Sequence, residues 1–386
     1  MKTSYVSSAI VFYTTTFAFS ALYTPQPLLP MIRAEFGVTE STASLLVTAT
    51  LLPLGFAPII YGFLLQSFTA RRLIMVSVSI IMGSELGIFF SNSFPFILLM
   101  RLIQGFCIPA VLTSLMTYLS TMSTVQNIQR IMSLYVAGTI IGGYFGRLLS
   151  GLVATCFGWR YSFLAIFFAL LFNLVLLRWL KSDPIVAFDR LRLSAIPDIL
   201  KVSGFLRVYL VIFFSFFTFA SILNFLPFRL TEIGGQLSGL RISTIYTGYL
   251  TGFIAAVFSA RIINLIGGEA RTVVAALSFY LLSMLFFLTG STLLTFANMF
   301  LFCAGMFLVH AVMPGLINRH AGNKRGVVNG LYISCYYAGG TLGSYLPGLV
   351  YKYYGWSAYV YVLSAVVVLA LGISSRLSRS AFVLSD

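Results

Sequence analysis

Three observations predict an all-α integral membrane fold of twelve transmembrane helices in two pseudo-symmetric six-helix bundles: the composition, the length of the apolar runs and an internal repeat. Of 386 residues, 59% are hydrophobic and 9% charged, and the mean hydropathy is +0.97. Soluble domains carry roughly 25% charged residues, so water is not the main solvent of this chain. A spanning helix needs about 20 apolar residues, and runs of that length follow one another, separated by short polar breaks. Backbone polar groups in lipid must be satisfied internally, which leaves helices or closed barrels. Barrel strands alternate apolar and polar residues, whereas runs such as Phe163 to Leu177 do not.

Turn residues place the spans near 8–31, 42–66, 73–91, 95–120, 131–156, 161–180, 207–229, 243–266, 272–290, 294–318, 327–353 and 358–375. Ser91-Asn92-Ser93 ahead of Pro95 is the best-marked start, with proline in the first turn. The first apolar stretch continues to about Met31, too long for the core of a cleaved signal, so an uncleaved first span is expected. The expected domains are an N-terminal bundle at 1–180, a cytoplasmic linker at 181–206 holding Asp183, Asp189 and Asp198, and a C-terminal bundle at 207–386.

The net charge of +15 is carried by loops. With the N-terminus inside, cytoplasmic segments hold Arg71, Arg72, Arg178, Lys181, Arg207, Arg271, Arg319 and Arg376 among others. External segments hold only Arg33, Arg160, Arg229, Arg241 and Lys352, an asymmetry of about three to one. That pattern predicts a multi-pass protein of the cell (inner) membrane with both termini cytoplasmic. No basic stripe with interleaved aromatics points to nucleic acid. Cys107, Cys156, Cys303 and Cys335 lack metal-ligand spacing and read as packing residues. No metal or cofactor is expected.

The two halves are copies. A constant shift of 197 positions aligns Leu134-Tyr135 with Leu331-Tyr332, Gly142-Gly143 with Gly339-Gly340, Gly146 with Gly343, and Gly158-Trp159 with Gly355-Trp356. Parallel six-helix repeats are a recognised transporter architecture, with the substrate site at the repeat interface.

Here a family resemblance enters. Leu98-Leu-Met-Arg101-Leu-Ile-Gln104-Gly105 matches the R-x-x-Q-G pattern of the fourth span of the major facilitator superfamily, and the chain resembles its twelve-helix drug:proton antiporter subgroup. The fifth span, with Gly138, Gly142, Gly143 and Gly146, resembles the antiporter motif, although Arg147 stands where the family has proline. Gly62, Arg71 and Arg72 fit the gating loop between spans two and three, but Gln66 replaces its usual aspartate and Thr69 its glycine. The resemblance implies alternating access, solute transport and function as a monomer.

Few ionisable residues lie inside the spans. A mid-span arginine costs about 2.5–3.5 kcal/mol on insertion scales and should face a partner or a wet cavity. Arg101 and Arg147 are the deep cases, while Arg261 sits near a span end and can snorkel. Glu85 is the one acid well inside a span. Glu85 and Arg101 lie equally far from the turn at Ser93, hence at one depth, and Arg147 falls within a turn of it. The expectation is a buried charge cluster of Glu85, Arg101 and Arg147. Two readings stay open: a structural ion pair that neutralises Arg101, or a proton carrier at Glu85. His310 in span ten titrates near neutrality when unperturbed and is either a packing residue or part of the transport site. Tyr23, Gln26, Gln104, Asn224, Tyr332 and Tyr336 are candidate cavity residues, and Tyr332 and Tyr336 share a helix face. The glycines of spans five and eleven, including Gly339, Gly340 and Gly343, permit close helix packing.

There is no catalytic constellation and no P-loop G-x4-G-K-[ST], so the chain is not expected to be an enzyme or an ATP-driven pump. The expected function is secondary transport of a small solute, coupled to protons and directed outward. A proton-coupled importer of a nutrient or organic anion is the alternative, and a non-transporting membrane sensor or enzyme a remote one. Exporters of lipophilic cations in the resembled family commonly carry an acid on span one, and Tyr13 to Pro30 contains none. Two arginines against one glutamate favour a neutral, zwitterionic or anionic solute, such as a metabolite, sugar or siderophore-like compound.

Overall fold

The computed structural model describes residues 2–122, 128–181, 183, 196–235, 237–321, 325–377 and 382, which contain helices and no strand. Most of the expected linker, with Asp189, Arg190 and Arg192, lies outside the described residues, as does Lys324. In chain order the helices are α1 (Lys2–Tyr23), α2 (Leu29–Phe36), α3 (Glu40–Leu54), α4 (Ala57–Leu64), α5 (Ala70–Phe90), α6 (Phe94–Met122), α7 (Ile128–Phe157) and α8 (Trp159–Leu177). They continue as α9 (Ile196–Lys201), α10 (Ser203–Gly234), α11 (Gly239–Thr244), α12 (Tyr249–Val257), α13 (Ser259–Ile266), α14 (Glu269–Phe286), α15 (Thr292–His320), α16 (Arg325–Gly343) and α17 (Leu346–Ser374).

By length and apolarity alone, 8 described helices can cross a bilayer, or 9 if a bent pair is one span. The twelve traverses emerge when broken spans are joined. Span one is α1 and α2, interrupted where Pro25 and Pro27 withdraw N–H donors from the helix. Span two is α3 and α4, with Pro53 and the cap Gly55 at the break. Span eight is α11 to α13, bent by 62° at Phe258. Spans eleven and twelve meet inside α17 at Gly355, whose φ of 76° suits glycine. The expected spans carried no breaks within spans one, two and eight, while the expected division between spans eleven and twelve, at 353–358, brackets Gly355. Apolar content measures solubility in lipid and is blind to the hydrogen bond a proline removes.

The chain forms two compact units, Met1–Asp189 with Gln236–Thr244, and Arg190–Gly235 with Ile245–Asp386. Within the first unit α1 packs on α7, and within the second α10 packs on α16. The registers are equivalent. A Cβ on Gly142 would overlap the Thr16 carbonyl, and one on Gly339 would overlap the Phe213 carbonyl; the partners are themselves 197 positions apart. Gly146 on Ser20 and Gly343 on Phe217 repeat the relation. Without a hydrophobic drive between helices in lipid, such close backbone approach supplies the packing. Gly138 meets Thr15 in the same seam, and Gly340 lies against the Phe216 ring. Gly62 is different: a Cβ there would meet nothing within 4 Å, so close helix packing is not its role.

The first unit also takes α11, which follows span seven in the chain. Leu240 N donates to Thr155 Oγ1 at 2.8 Å, and Gly151 leaves room for Ser243.

Each Gly-Trp pair anchors one end of its copy. Trp159 Nε1 donates to Glu35 Oε2 at 2.7 Å, and Arg160 pairs with Glu35 at 2.6 Å while also donating to Ser91 O. In the second copy Trp356 Nε1 donates to Phe287 O at 2.6 Å, and Glu232 accepts from Tyr351 and pairs with Arg229 at 3.1 Å. Glu35 and Glu232 are twins under the same 197-residue shift, a match the sequence reading missed although the shift itself reveals it.

Candidate functional site

The break in span one organises the buried polar groups of the first unit. Pro25 has no N–H to give, so the Ala21 carbonyl four residues earlier lacks its helical donor. Arg101 of α6, fully buried, fills the gap. Its guanidinium donates to Ala21 O at 2.8 Å, Leu22 O at 2.6 Å, Leu46 O of α3 at 2.9 Å and Gln104 Oε1 at 2.5 Å. One planar fork thereby ties α1, α3 and α6 together, a geometry suited to arginine and beyond the reach of lysine's single ammonium.

Glu85 of α5 is fully buried next to this assembly, with Arg101 and Gln104 as the polar groups that act on its carboxyl. Neither carboxyl oxygen has a hydrogen bond of ordinary geometry, and neither does Gln104 Nε2. Arg101 makes no salt bridge with it among the described residues, and its guanidinium donates instead to three backbone carbonyls and Gln104. The structural ion pair considered from the sequence is thus replaced by a proximity. The Gln104 side chain, which accepts the fourth of these hydrogen bonds at Oε1, in turn acts on the Glu85 carboxyl.

Arg147 of α7 is held on the other side of the same break. Its Nε donates to Gln26 Oε1 at 2.6 Å, its Nη1 to Gly143 O at 2.5 Å, and it lies 4.0 Å from the centroid of the Tyr23 ring. Gly143 lies directly against this side chain, and a Cβ there would sit 3.4 Å from Nη1, at ordinary contact distance. Instead of one three-residue cluster, two arginines clamp the span-one break, Arg101 before it and Arg147 after it, and Glu85 accompanies only the first. Depth counting gives an expected level for each residue along the helices but not the helix face from which it projects.

The second unit holds the equivalent position without charge. Ser344 is the twin of Arg147 under the 197-residue shift, and its carbonyl accepts from Asn224 Nδ2 at 3.2 Å at the break ahead of Pro347. Nearby, His310 Nδ1 and the Tyr332 hydroxyl are 3.0 Å apart, and Tyr336 lies 4.6 Å from the imidazole, stacked on Phe216 at 3.7 Å. Of the candidate cavity residues, Tyr23, His310 and Tyr336 keep partial exposure. Gln26, Gln104, Asn224 and Tyr332 are buried and brace helix breaks or neighbouring side chains. Breaking a helix leaves carbonyls without their helical donors, and polar side chains must cover them.

At the opposite end of α5 the loop between spans two and three finds its acid elsewhere. Asp183, 5% exposed, accepts from Ala70 N at 2.8 Å and Arg71 N at 3.0 Å, capping the α5 N-terminus. Thr69 adds its own side-chain cap on Arg72 N. Arg71 donates to Arg178 O at 2.8 Å, and Arg72 lies over the Phe68 ring. Gln66 stands where an aspartate is usual, and Asp183, distant in sequence, supplies a carboxylate to this loop. No local motif could have disclosed it. Among the described residues no His/Cys/Asp/Glu group could hold a metal.

Comparison with known proteins agrees with this architecture. The family profile described as Major Facilitator Superfamily matches residues 11–344. The uncharacterized MFS-type transporter YybF of Bacillus subtilis is 25% identical over 384 residues, covering 96% of this chain and 95% of its own. The inner membrane transport protein YnfM of Escherichia coli is 28% identical over 378 residues, covering 94% and 88%. A solved structure of a bacterial homologue of the human lysosomal transporter Spinster superposes with a TM-score of 0.71 at 16% identity, covering 98% of this chain and 96% of that one.

Proposed function

The chain belongs to the Major Facilitator Superfamily, and from that premise we propose that it is a proton-coupled exporter, close in mechanism to the drug:proton antiporters, working by alternating access. Its setting is the inner membrane, with both termini cytoplasmic. Relatives across its length are MFS-type transporters, which supports secondary transport of small solutes.

The observation that carries the proton reading is Glu85, a fully buried carboxyl with no salt bridge among the described residues, beside Gln104 and an arginine that gives most of its hydrogen bonds to backbone carbonyls. An unpaired carboxylate away from water is far costlier than the neutral acid, so such a site favours a bound proton. If the span-one break shifts, the Ala21 and Leu22 carbonyls release Arg101, which can then turn an N–H towards Glu85 and stabilise its ionised form. Proton release becomes linked to a backbone movement. Arg101 and Arg147 outweigh Glu85 in charge, which favours a neutral, zwitterionic or anionic solute over a cation.

A ligand-stabilisation screen over metabolites, sugars and siderophore-like compounds selects the solute, and transport is then measured in proteoliposomes under pH gradients of both signs. Antiport predicts solute accumulation in an acidic lumen. Accumulation in an alkaline lumen contradicts it and identifies a symporter.

A further inference from the structure

The second unit carries an open groove of about 380 Å³ between α10 and the end of α17. Its walls are aliphatic: Leu206 and Leu210 on one side and Val368 and Leu369 on the other, each between 37% and 57% exposed. Gly372 keeps the floor open, since a Cβ there would meet nothing within 4 Å. Two cations sit at one end. Arg207 Nη1 donates to Arg376 O at 2.6 Å, which brings the first arginine to the chain segment that carries the second. Neither pairs with a carboxylate, and no carboxylate lines the groove, among the described residues.

Arginine at a helix C-terminus is favoured by the helix dipole, which accounts for Arg376 alone. It does not account for two arginines lining the end of one aliphatic groove on a membrane-embedded unit. An anion balances both charges, and the aliphatic walls beside them suit an anion attached to hydrocarbon. We propose that this groove binds an anionic phospholipid, its phosphodiester on Arg207 and Arg376 and an acyl chain along Leu206, Leu210, Val368 and Leu369. Guanidinium forks bind phosphate oxygens in pairs, and basic pockets between transmembrane helices are known to take anionic headgroups. The site is independent of the solute pathway and of the direction of transport.

Native mass spectrometry of the full-length protein, with phosphatidylglycerol or phosphatidylcholine added, tests this. Phosphatidylglycerol should remain bound where phosphatidylcholine does not, and millimolar inorganic phosphate should fail to displace it. The double substitution Arg207→Gln/Arg376→Gln should weaken retention by about 30-fold, while Arg271→Gln, outside the groove, should leave it unchanged. Gly372→Leu fills the floor without altering charge and should also reduce retention, which keeps the test decisive if the double variant does not fold. Equal retention of the two lipids, displacement by phosphate alone, or full retention in Gly372→Leu would overturn the proposal.

Discussion

Arg101 commits all three nitrogens of its guanidinium to hydrogen bonds inside the protein. Four hydrogen bonds from one side chain reach three helices, and two of the accepting carbonyls stand at a break made by Pro25. Removing a donor strands buried carbonyls, which costs about 1–3 kcal/mol for each group left unsatisfied. Arg101→Lys keeps the charge but not the fork, and thermal unfolding in detergent should show a loss of about 3 kcal/mol. A variant as stable as the parent would mean that the carbonyls find other donors. Glu85→Gln should behave oppositely. An amide offers a donor and removes the prospect of an unpaired charge, so this variant should unfold no earlier than the parent.

Helix breaks and helix seams explain most of the element-level organisation. The α1–α7 and α10–α16 seams depend on glycines where a Cβ would strike backbone. Gly142→Ala and Gly339→Ala should each destabilise by about 1–3 kcal/mol through overpacking. Gly62→Ala should leave stability level or raise it by about 0.5–1 kcal/mol, since the site is open and alanine is the better helix former. Unfolding midpoints of the three variants provide the comparison, and equal effects would show that the seams can relax. Asp183→Asn tests the distant cap on α5. Losing the carboxylate facing two backbone N–H groups should cost about 1 kcal/mol, and an unchanged midpoint would show that Thr69 caps the helix unaided.

Much of the whole molecule was legible in the sequence because lipid imposes a one-dimensional rule. Spans had to be apolar and helical, and the 197-residue shift exposes the copies. The same shift placed the twin glycines in equivalent seams and would have paired Glu35 with Glu232. Less of the site was legible. Glu85 and Arg101 share a depth and are neighbours, but the partners of Arg101 are main-chain carbonyls, which no side-chain pattern encodes. Arg147, expected within a turn of that depth, turns to Gln26 and Tyr23. Pro25 and Pro27 were the unused signal, since two prolines in one span announce carbonyls in need of donors.

These scales converge on one claim: that a buried acid beside a clamped helix break couples proton movement to solute movement. Proteoliposomes containing the Glu85→Gln protein test it most directly, with solute exchange and pH-gradient-driven accumulation measured on the same preparation. Exchange moves no net proton and should survive, whereas accumulation driven by the pH gradient should be lost. If the variant accumulates solute with unchanged dependence on the gradient, Glu85 is not the proton carrier and the coupling mechanism is wrong.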